Sequence, residues 1–128
     1  LEALNSHRKS VNGSKVLLIG LSYKPDVDDD RESPTYKLMD YYKELGAEVS
    51  YYDPYVPVIK PSREHSHWAG TRSIEWSKES VGRFDVVVVS TNHSDIDYHQ
   101  LSEWSNLIVD TRNALEHVES KNGHVWKA

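Results

Sequence analysis

The sequence contains no cysteine, one methionine and one phenylalanine among its 128 residues. Without cysteine the chain has no disulfide, no thiolate zinc site and no thiol nucleophile of its own. No apolar run approaches the roughly 20 residues that a membrane-spanning helix needs, and no secretory leader is visible. We therefore expect a protein of the reducing cytoplasm that does not bind membranes.

Positive charge is also scarce, with 15 Lys and Arg against 20 Asp and Glu and a net charge of -5. This balance provides no basic field for nucleic acid, so we expect no nucleic-acid partner. If the protein binds an anion, it must do so with a few well-placed cations. The contents of 38% hydrophobic and 27% charged residues are typical of a globular protein, and the length suits one core.

Two apolar runs give the clearest strand signals. The runs "KVLLIG" (15–20) and "FDVVVVS" (84–90) lack the polar alternation of a half-exposed strand and predict strands that are buried on both faces. Between them, Ser33 and Pro34 suit the N-cap and first position of a helix that Gly46 closes. The other predicted elements are strands at 47–53, 72–74 and 106–110, short helices at 77–83 and 97–105, and an edge strand in the final "GHVWKA".

The alternation of strands and helices predicts an α/β fold. We expect a single Rossmann-like domain, doubly wound, with a mostly parallel sheet and helices on both faces. Residues 1–14 are interpreted as the end of a helix and a turn, and residues 15–128 as the domain. Residues 54–70 are proline-rich and predict a long irregular loop. Polar loops at 20–33, 90–97 and 110–114 follow strands at the edge where such sheets bind ligands.

The first of these loops, "GLSYKPDVDDDRES", has mixed charge. Gly20 allows a sharp turn, while Lys24 and Arg31 offer the positive charge that a phosphate or pyrophosphate needs. Free N–H groups at the start of the next helix would favour the same anion. Tyr23 is suited to pack on a ribose or base. Composition alone favours a plainer interpretation, a solvated loop with surface ion pairs, because no G-x-G-x-x-G or Walker pattern is present.

Metal sites are not favoured by the pattern of acids and histidines. The acidic residues of the first loop lie in one loop, whereas a divalent-metal pocket needs acids from the ends of at least two strands. His65 and His67 form an H-x-H pair without an evident third ligand, so ordinary polar surface is the better interpretation. We predict no metal site.

Two further polar stretches follow predicted strands. Arg112 lies just beyond the strand at 106–110, where Asp110 is suited to orient its guanidinium. A purely structural Arg–Asp pair is equally consistent with the chemistry. The stretch "TNHSDIDYH" (91–99) includes His93 but no nucleophile elbow, so we expect no catalytic triad. A helix N-cap at Ser94 or Asp95 is predicted instead.

The segment "GSKVLLIGLSYKPDVDDDRESPTYKLMDYYKELGAEVSYYDPYVP" resembles the start of the C-terminal domain of the UDP-glucose/GDP-mannose dehydrogenase family. The later "FDVVVVSTNHSDIDY" and "LIVDTRNAL" are similar to the same domain in the same order. The resemblance spans about residues 4 to 116, and the combination of Lys, an acidic stretch and Arg-Glu-Ser-Pro is specific. "PYVPVIKPSREH" further resembles the subgroup that oxidises UDP-N-acetylglucosamine or related N-acetyl sugars.

The resemblance implies an oxidoreductase that uses NAD and a cysteine thiol to oxidise carbon 6 of a nucleotide sugar to the acid. It implies that Tyr23, Lys24 and Arg112 contact a UDP-sugar, and that Arg31 reaches NAD held mainly by another domain. It also implies a homodimer or higher homo-oligomer. Because the thiol and the dinucleotide fingerprint are absent, we expect this chain alone to be inactive. The alternative is a non-catalytic nucleotide-binding or regulatory module with the same fold.

Overall fold

The computed structural model describes residues 13–21, 33–61, 66–112, 114–115 and 125–127. Strands and helices alternate along these residues, as the sequence predicts. In chain order the elements are β1 (Lys15–Ile19), α1 (Thr35–Glu44), β2 (Glu48–Tyr52), a 3₁₀ helix (Ser66–Trp68), α2 (Lys78–Gly82), β3 (Val86–Val89), α3 (Tyr98–Trp104), β4 (Ile108–Asp110) and β5 (Val125–Lys127).

The five strands form one sheet in the order β2-β1-β3-β4-β5, and every pair of neighbours is parallel. This confirms the predicted Rossmann-like sheet and the edge strand at the end of the chain. The four valines of β3 are at most 2% exposed, as expected for a central strand. Chain order reverses between β1 and β3, since β2 lies on one side of this pair and β4 on the other.

Two apolar cores lie on the opposite faces of the sheet. Tyr36 and Met39 of α1 pack into the first core, whereas Val81 of α2 and Leu101 of α3 pack into the second. Helices therefore cover both faces, as predicted. Complete burial of one large aliphatic side chain contributes roughly 1.5–3 kcal/mol, so β1 is firmly held between the layers. Its residues alternate between the cores, Val16 and Leu18 in the first and Leu17 and Ile19 in the second.

Helix α1 begins one residue later than predicted, with Pro34 at the N-cap position. Ser33 still serves the helix start, because its Oγ accepts the N–H of Thr35 at 3.2 Å and its carbonyl oxygen accepts the N–H of Tyr36 at 3.3 Å. These N–H groups are consequently not available to an anion in the way the sequence suggested. Gly46, with φ of 91°, follows the end of the helix as predicted.

The predicted N-cap of α3 at Ser94 or Asp95 is wrong. The cap is Asp97, whose carboxylate accepts the N–H of Gln100 at 3.0 Å. Asp95 accepts a hydrogen bond from the Tyr55 hydroxyl instead, so it holds the chain before the helix starts.

The described residues between β2 and α2 are irregular apart from the 3₁₀ helix, as predicted for 54–70, and they pack on the first core. The strand predicted at 72–74 is wrong, because Arg72 forms only an isolated antiparallel bridge with Val58. Ser73 donates its N–H to Pro57 next to this bridge, and Ile74 donates its N–H to Tyr51 of β2, but residues 72–74 do not form a strand. The segment is anchored by three buried side chains, those of Val56, Ile59 and Trp68. No helix within the described ranges is long and apolar enough to cross a bilayer.

Candidate functional site at the carboxyl edge of the sheet

The carboxyl ends of the parallel strands meet at one edge of the sheet, which we call the carboxyl edge. Gly20 follows β1, Asp53 follows β2, Ser90 follows β3 and Asp110 ends β4. Open α/β sheets bind ligands outside this edge at the point where the strand order reverses. In this chain the reversal lies between β1 and β3, so a ligand is expected beside Gly20 and Ser90.

Gly20 allows the exits of β1 and β3 to approach each other closely. Its φ is +89°, a conformation that residues with a Cβ rarely adopt. A Cβ at this position would lie 2.4 Å from the Cβ of Thr91 and 2.6 Å from its carbonyl oxygen. On the same side, the carbonyl oxygen of Ile19 accepts the N–H groups of Ser90 at 2.8 Å and Thr91 at 3.1 Å. The two exits are therefore packed as one unit.

Thr35 fixes the start of α1 to this unit. Its side chain is fully buried, and its Oγ1 lies 3.2 Å from the carbonyl oxygen of Gly20 and 2.5 Å from the Oγ of Ser90. A single hydroxyl thus joins the helix to both strand exits. The residues that flank the switch point have fixed positions before any ligand arrives.

Arg112, which follows β4, places a cation at the exit of β3. Its side chain is exposed, and its Nε donates to the carbonyl oxygen of Ser90 at 2.9 Å. Within the described ranges no carboxylate pairs with this guanidinium. A guanidinium has five N–H donors, so this one hydrogen bond leaves its terminal groups suited to a phosphate.

Asp110 orders the turn that carries Arg112. Its carboxylate accepts the N–H groups of Arg112 at 3.1 Å, Ala114 at 3.0 Å and Leu115 at 2.9 Å. The suggestion that Asp110 orients the guanidinium, or forms a structural pair with it, is therefore wrong. The carboxylate is buried and binds backbone donors, so it shapes the loop rather than the side chain.

A buried pair that the sequence analysis missed lies beside this site. Asp53 is 1% exposed and His93 is 0% exposed, and the Nε2 of His93 lies 2.9 Å from the Oδ2 of Asp53. The same Oδ2 accepts the N–H of Leu21 at 2.7 Å, and Oδ1 accepts the N–H of Tyr55 at 2.7 Å. One carboxylate therefore joins the exits of β1, β2 and β3.

Asp53 is charged at neutral pH. Burial raises the pKa of its carboxyl group, but the hydrogen bonds from His93, Leu21 and Tyr55 lower it by more, and the net pKa lies below the ordinary value of 3.8. A carboxylate only accepts hydrogen bonds, so the Nε2 of His93 must carry a proton and donate. The hydrogen bonds from His93, Leu21 and Tyr55 stabilise the buried negative charge of Asp53, which would be costly to bury without them.

The signal for this pair was present in the sequence. Asp53 ends the strand predicted at 47–53, and His93 lies in the polar loop after β3. The sequence pattern identifies Asp53 only as the end of a strand before Pro54, because no apolar pattern shows which loop of an α/β sheet turns inward. Knowledge of the strand order, which places β1 between β2 and β3, is needed to bring the two residues together.

Three of the four predicted ligand residues, Tyr23, Lys24 and Arg31, lie outside the described residues, as does His65. Only Arg112 is described, and its side chain reaches from the end of β4 to the exit of β3. Leu21 and Ser33, which flank the charged loop in sequence, are both buried at the carboxyl edge.

His67 belongs to a different part of the surface. Its Nε2 lies 2.6 Å from the Oδ1 of Asp40 in α1, an atom that also accepts the Nε1–H of Trp68 at 2.8 Å. This contact attaches the 3₁₀ helix to α1. In the part of the chain that the structure describes, no group of three or more potential ligands is placed to hold a metal ion.

Comparison with known proteins points to one family. The model of the UDP-glucose/GDP-mannose dehydrogenase family, UDP binding domain, matches residues 17–117, a range that includes the whole carboxyl edge described above. A UDP-N-acetyl-D-mannosamine dehydrogenase from Methanococcus vannielii is 30% identical over 126 residues, which cover 92% of this chain and 26% of that protein. A UDP-glucose 6-dehydrogenase from Rhizobium meliloti is 41% identical over 119 residues, which cover 88% and 26%.

Among solved structures, the fold is similar to that of an NDP-N-acetyl-D-galactosaminuronic acid dehydrogenase from Methanosarcina mazei Go1. The TM-score is 0.77 and the identity 28%, with 99% of this chain and 26% of that chain covered. The chain thus spans about a quarter of the length of the relatives it matches.

Proposed function

The chain belongs to the UDP-glucose/GDP-mannose dehydrogenase family, whose UDP binding domain matches residues 17–117, and we propose that it supplies the UDP-sugar-binding part of an NAD-dependent 6-dehydrogenase. In this proposal the chain is the C-terminal domain of the enzyme. The whole enzyme oxidises the C6 alcohol of a UDP-sugar to the uronic acid.

The position of Arg112 carries this proposal. Arg112 is exposed, and its Nε is anchored on the carbonyl oxygen of Ser90 at the exit of β3, one of the two strands between which the strand order reverses. A planar cation held in this way suits the diphosphate of a UDP-sugar, because it offers several N–H donors in a fixed plane. The net charge of -5 supplies no general attraction for anions, so a local cation of this kind is required.

The charged loop supplies the remaining contacts in this proposal. Tyr23 and Lys24 contact the UDP-sugar, and Arg31 contacts NAD. Support comes from the sequence resemblance and from the flanking residues, since Leu21 and Ser33 bring both ends of the loop to the carboxyl edge.

The task of the chain is to bind and orient the substrate. Holding the diphosphate in a fixed place sets the position of the sugar for the rest of the enzyme, which lowers the entropic cost of reaction, and a closed site limits access of water. The chain has no cysteine, so the thiol of the reaction belongs elsewhere in this proposal.

NAD accepts the hydride in such an enzyme, and the described residues do not fit a principal NAD site. A dinucleotide turn needs several glycines directly after the first strand, whereas Gly20 is the one glycine among residues 15–45. We therefore propose that NAD is held mainly by another domain and that this chain contributes at most one cation to it.

The proposed substrate is UDP-N-acetylglucosamine, on the resemblance of "PYVPVIKPSREH" to that subgroup. Relatives named for UDP-N-acetyl-D-mannosamine and for UDP-glucose make these two sugars the competing candidates. The proposal also includes a homodimer or higher homo-oligomer for the whole enzyme and a cytoplasmic location, which suits a chain without cysteine.

Calorimetric titration of the chain with UDP tests the proposal. We expect UDP to bind and Arg112→Ala to weaken binding by roughly tenfold or more, because a hydrogen bond to a charged group is worth about 1.5–3 kcal/mol. Arg83→Ala is the matched control, since Arg83 is also exposed but lies before β3, away from the carboxyl edge. Binding of ADP but not UDP, or UDP binding that is unchanged in Arg112→Ala, would contradict the proposal.

A further inference from the structure

The buried pair of Asp53 and His93 includes a residue of the same chain segment, after β3, that carries the main-chain acceptor of Arg112. His93 lies three residues after Ser90, whose carbonyl oxygen holds the guanidinium at 2.9 Å. The Oδ2 of Asp53 holds both the Nε2 of His93 and the N–H of Leu21, the residue next to Gly20. The carboxylate therefore joins the two chain exits that flank the switch point.

Both side chains of the pair are buried. Asp53 is 1% exposed and His93 is 0% exposed. Tyr55 covers the pair, with its ring centroid 4.9 Å from that of His93 and its hydroxyl bonded to Asp95. Burying a charged carboxylate is costly unless it is fully hydrogen-bonded, so its place between three loops indicates a role in fixing their geometry.

We propose that Asp53 and His93 are positioning residues for the UDP site, which act by fixing the β3 exit so that the Ser90 carbonyl oxygen holds Arg112 in place. The inference rests on the proposed function. The acceptor for the Nε of Arg112 is the main-chain oxygen of Ser90, so the position of the guanidinium depends on the backbone after β3. His93 is a buried residue of that backbone segment, and its side chain donates a hydrogen bond to the carboxylate of Asp53.

Substitutions that roughly keep the size of the Asp53 or His93 side chain but change its charge or its hydrogen bonds test this role. Asp53→Asn replaces one acceptor oxygen by an N–H₂ group that must face a donor, either Tyr55 N–H on one side or Leu21 N–H and His93 on the other. His93→Leu removes the donor, whereas in His93→Gln the amide retains a donor to Asp53. We expect Asp53→Asn and His93→Leu to weaken UDP binding roughly tenfold, and His93→Gln to stay within about threefold of the wild type.

A second readout reports on Arg112 itself. The ¹H–¹⁵N signal of the Arg112 Nε–H group senses its hydrogen bond to Ser90, and we expect this signal to shift in Asp53→Asn and His93→Leu without ligand. The control is Val86→Ala, which removes core packing near the amino end of β3, where Val86 is 2% exposed. It should lower the unfolding temperature while leaving both the UDP affinity and the Arg112 signal unchanged.

The outcomes separate this inference from the proposed function. If the wild-type chain binds UDP and Asp53→Asn binds it equally well, or if Val86→Ala loses as much affinity, the positioning role is wrong and the proposed function stands. If the wild-type chain does not bind UDP, the proposed function is wrong and this inference falls with it. Should His93→Leu fail to fold, the comparison of Asp53→Asn with His93→Gln decides the matter.

Discussion

The Nε of Arg112 donates to the main-chain carbonyl oxygen of Ser90 over 2.9 Å, a contact that joins the exit of β4 to the exit of β3. The nearest acid in sequence, Asp110, binds backbone N–H groups instead. The cation is thus held in place without being neutralised by a carboxylate of the described ranges. An arginine that is fixed but not neutralised is suited to bind an anion.

We predict that lysine cannot replace Arg112. Lysine offers one compact ammonium group, which cannot keep the bond to Ser90 and present a planar pair of donors at the same time. Arg112→Lys should weaken UDP binding by roughly fivefold, close to the loss of about 1 kcal/mol expected for one hydrogen bond. Calorimetry measures this, with Arg83→Lys as the control that should bind as the wild type does. Full affinity in Arg112→Lys would mean that charge alone matters.

Gly20→Ala should destabilise the protein far more than Gly70→Ala. Both glycines have positive φ, +89° and +86°, but a Cβ at Gly70 meets nothing within 4 Å, whereas at Gly20 it meets Thr91 at 2.4 Å. The backbone cost alone is about 1–2 kcal/mol. Overpacking at Gly20 adds about 1–3 kcal/mol. Urea denaturation of the two variants measures the difference, and equal losses would show that the close approach of β1 and β3 is not real.

Thr35→Val should destabilise the protein by about 1–3 kcal/mol, although the side chain keeps its shape. The substitution removes the hydroxyl that lies 3.2 Å from the Gly20 carbonyl oxygen and 2.5 Å from the Ser90 Oγ, and it leaves those groups buried. Thr35→Ser is the matched control, since it retains the hydroxyl. If the two variants have the same free energy of unfolding, the hydroxyl does not hold α1 to the strand exits.

Acid should weaken the fold partly through Asp53. The pKa of this carboxyl group in the folded protein lies below its ordinary value of 3.8, so its contribution to stability is complete above that value. The contribution is lost as the pH falls through the folded pKa, where the group takes up a proton. We expect the free energy of unfolding to fall between about pH 5 and pH 2, with a smaller fall in Asp53→Asn. Parallel pH profiles for the two proteins would contradict this.

The strands were predictable because burial on both faces leaves a strong signal. "KVLLIG" and the four valines contain β1 and β3, and their lack of polar alternation indicated a parallel sheet. The N-cap of α3 was misplaced because several polar residues in succession suit a cap, and the contacts of Asp95 with Tyr55 and of Asp97 with Gln100 appear only in the structure.

The site was predictable only in part. Arg112 follows directly from its place after a strand, whereas the Asp53–His93 pair depends on the order of strands in the sheet, which no local pattern encodes. The prediction of a short strand at 72–74 was wrong for a similar reason. The N–H groups of Ser73 and Ile74 donate to Pro57 and Tyr51, and no local pattern encodes these contacts. The ligand contacts of Tyr23, Lys24, Arg31 and Arg112 remain predictions.

The most direct test of the central claim is an NMR titration of the ¹⁵N-labelled chain with UDP. We expect the amide signals of Gly20, Ser90 and Arg112, together with the Arg112 Nε–H signal, to shift with one common dissociation constant. The amides of Asp85 and Leu107, which precede β3 and β4 at the opposite edge, should stay in place. Shifts confined to that opposite edge, or none at saturating UDP, would contradict it.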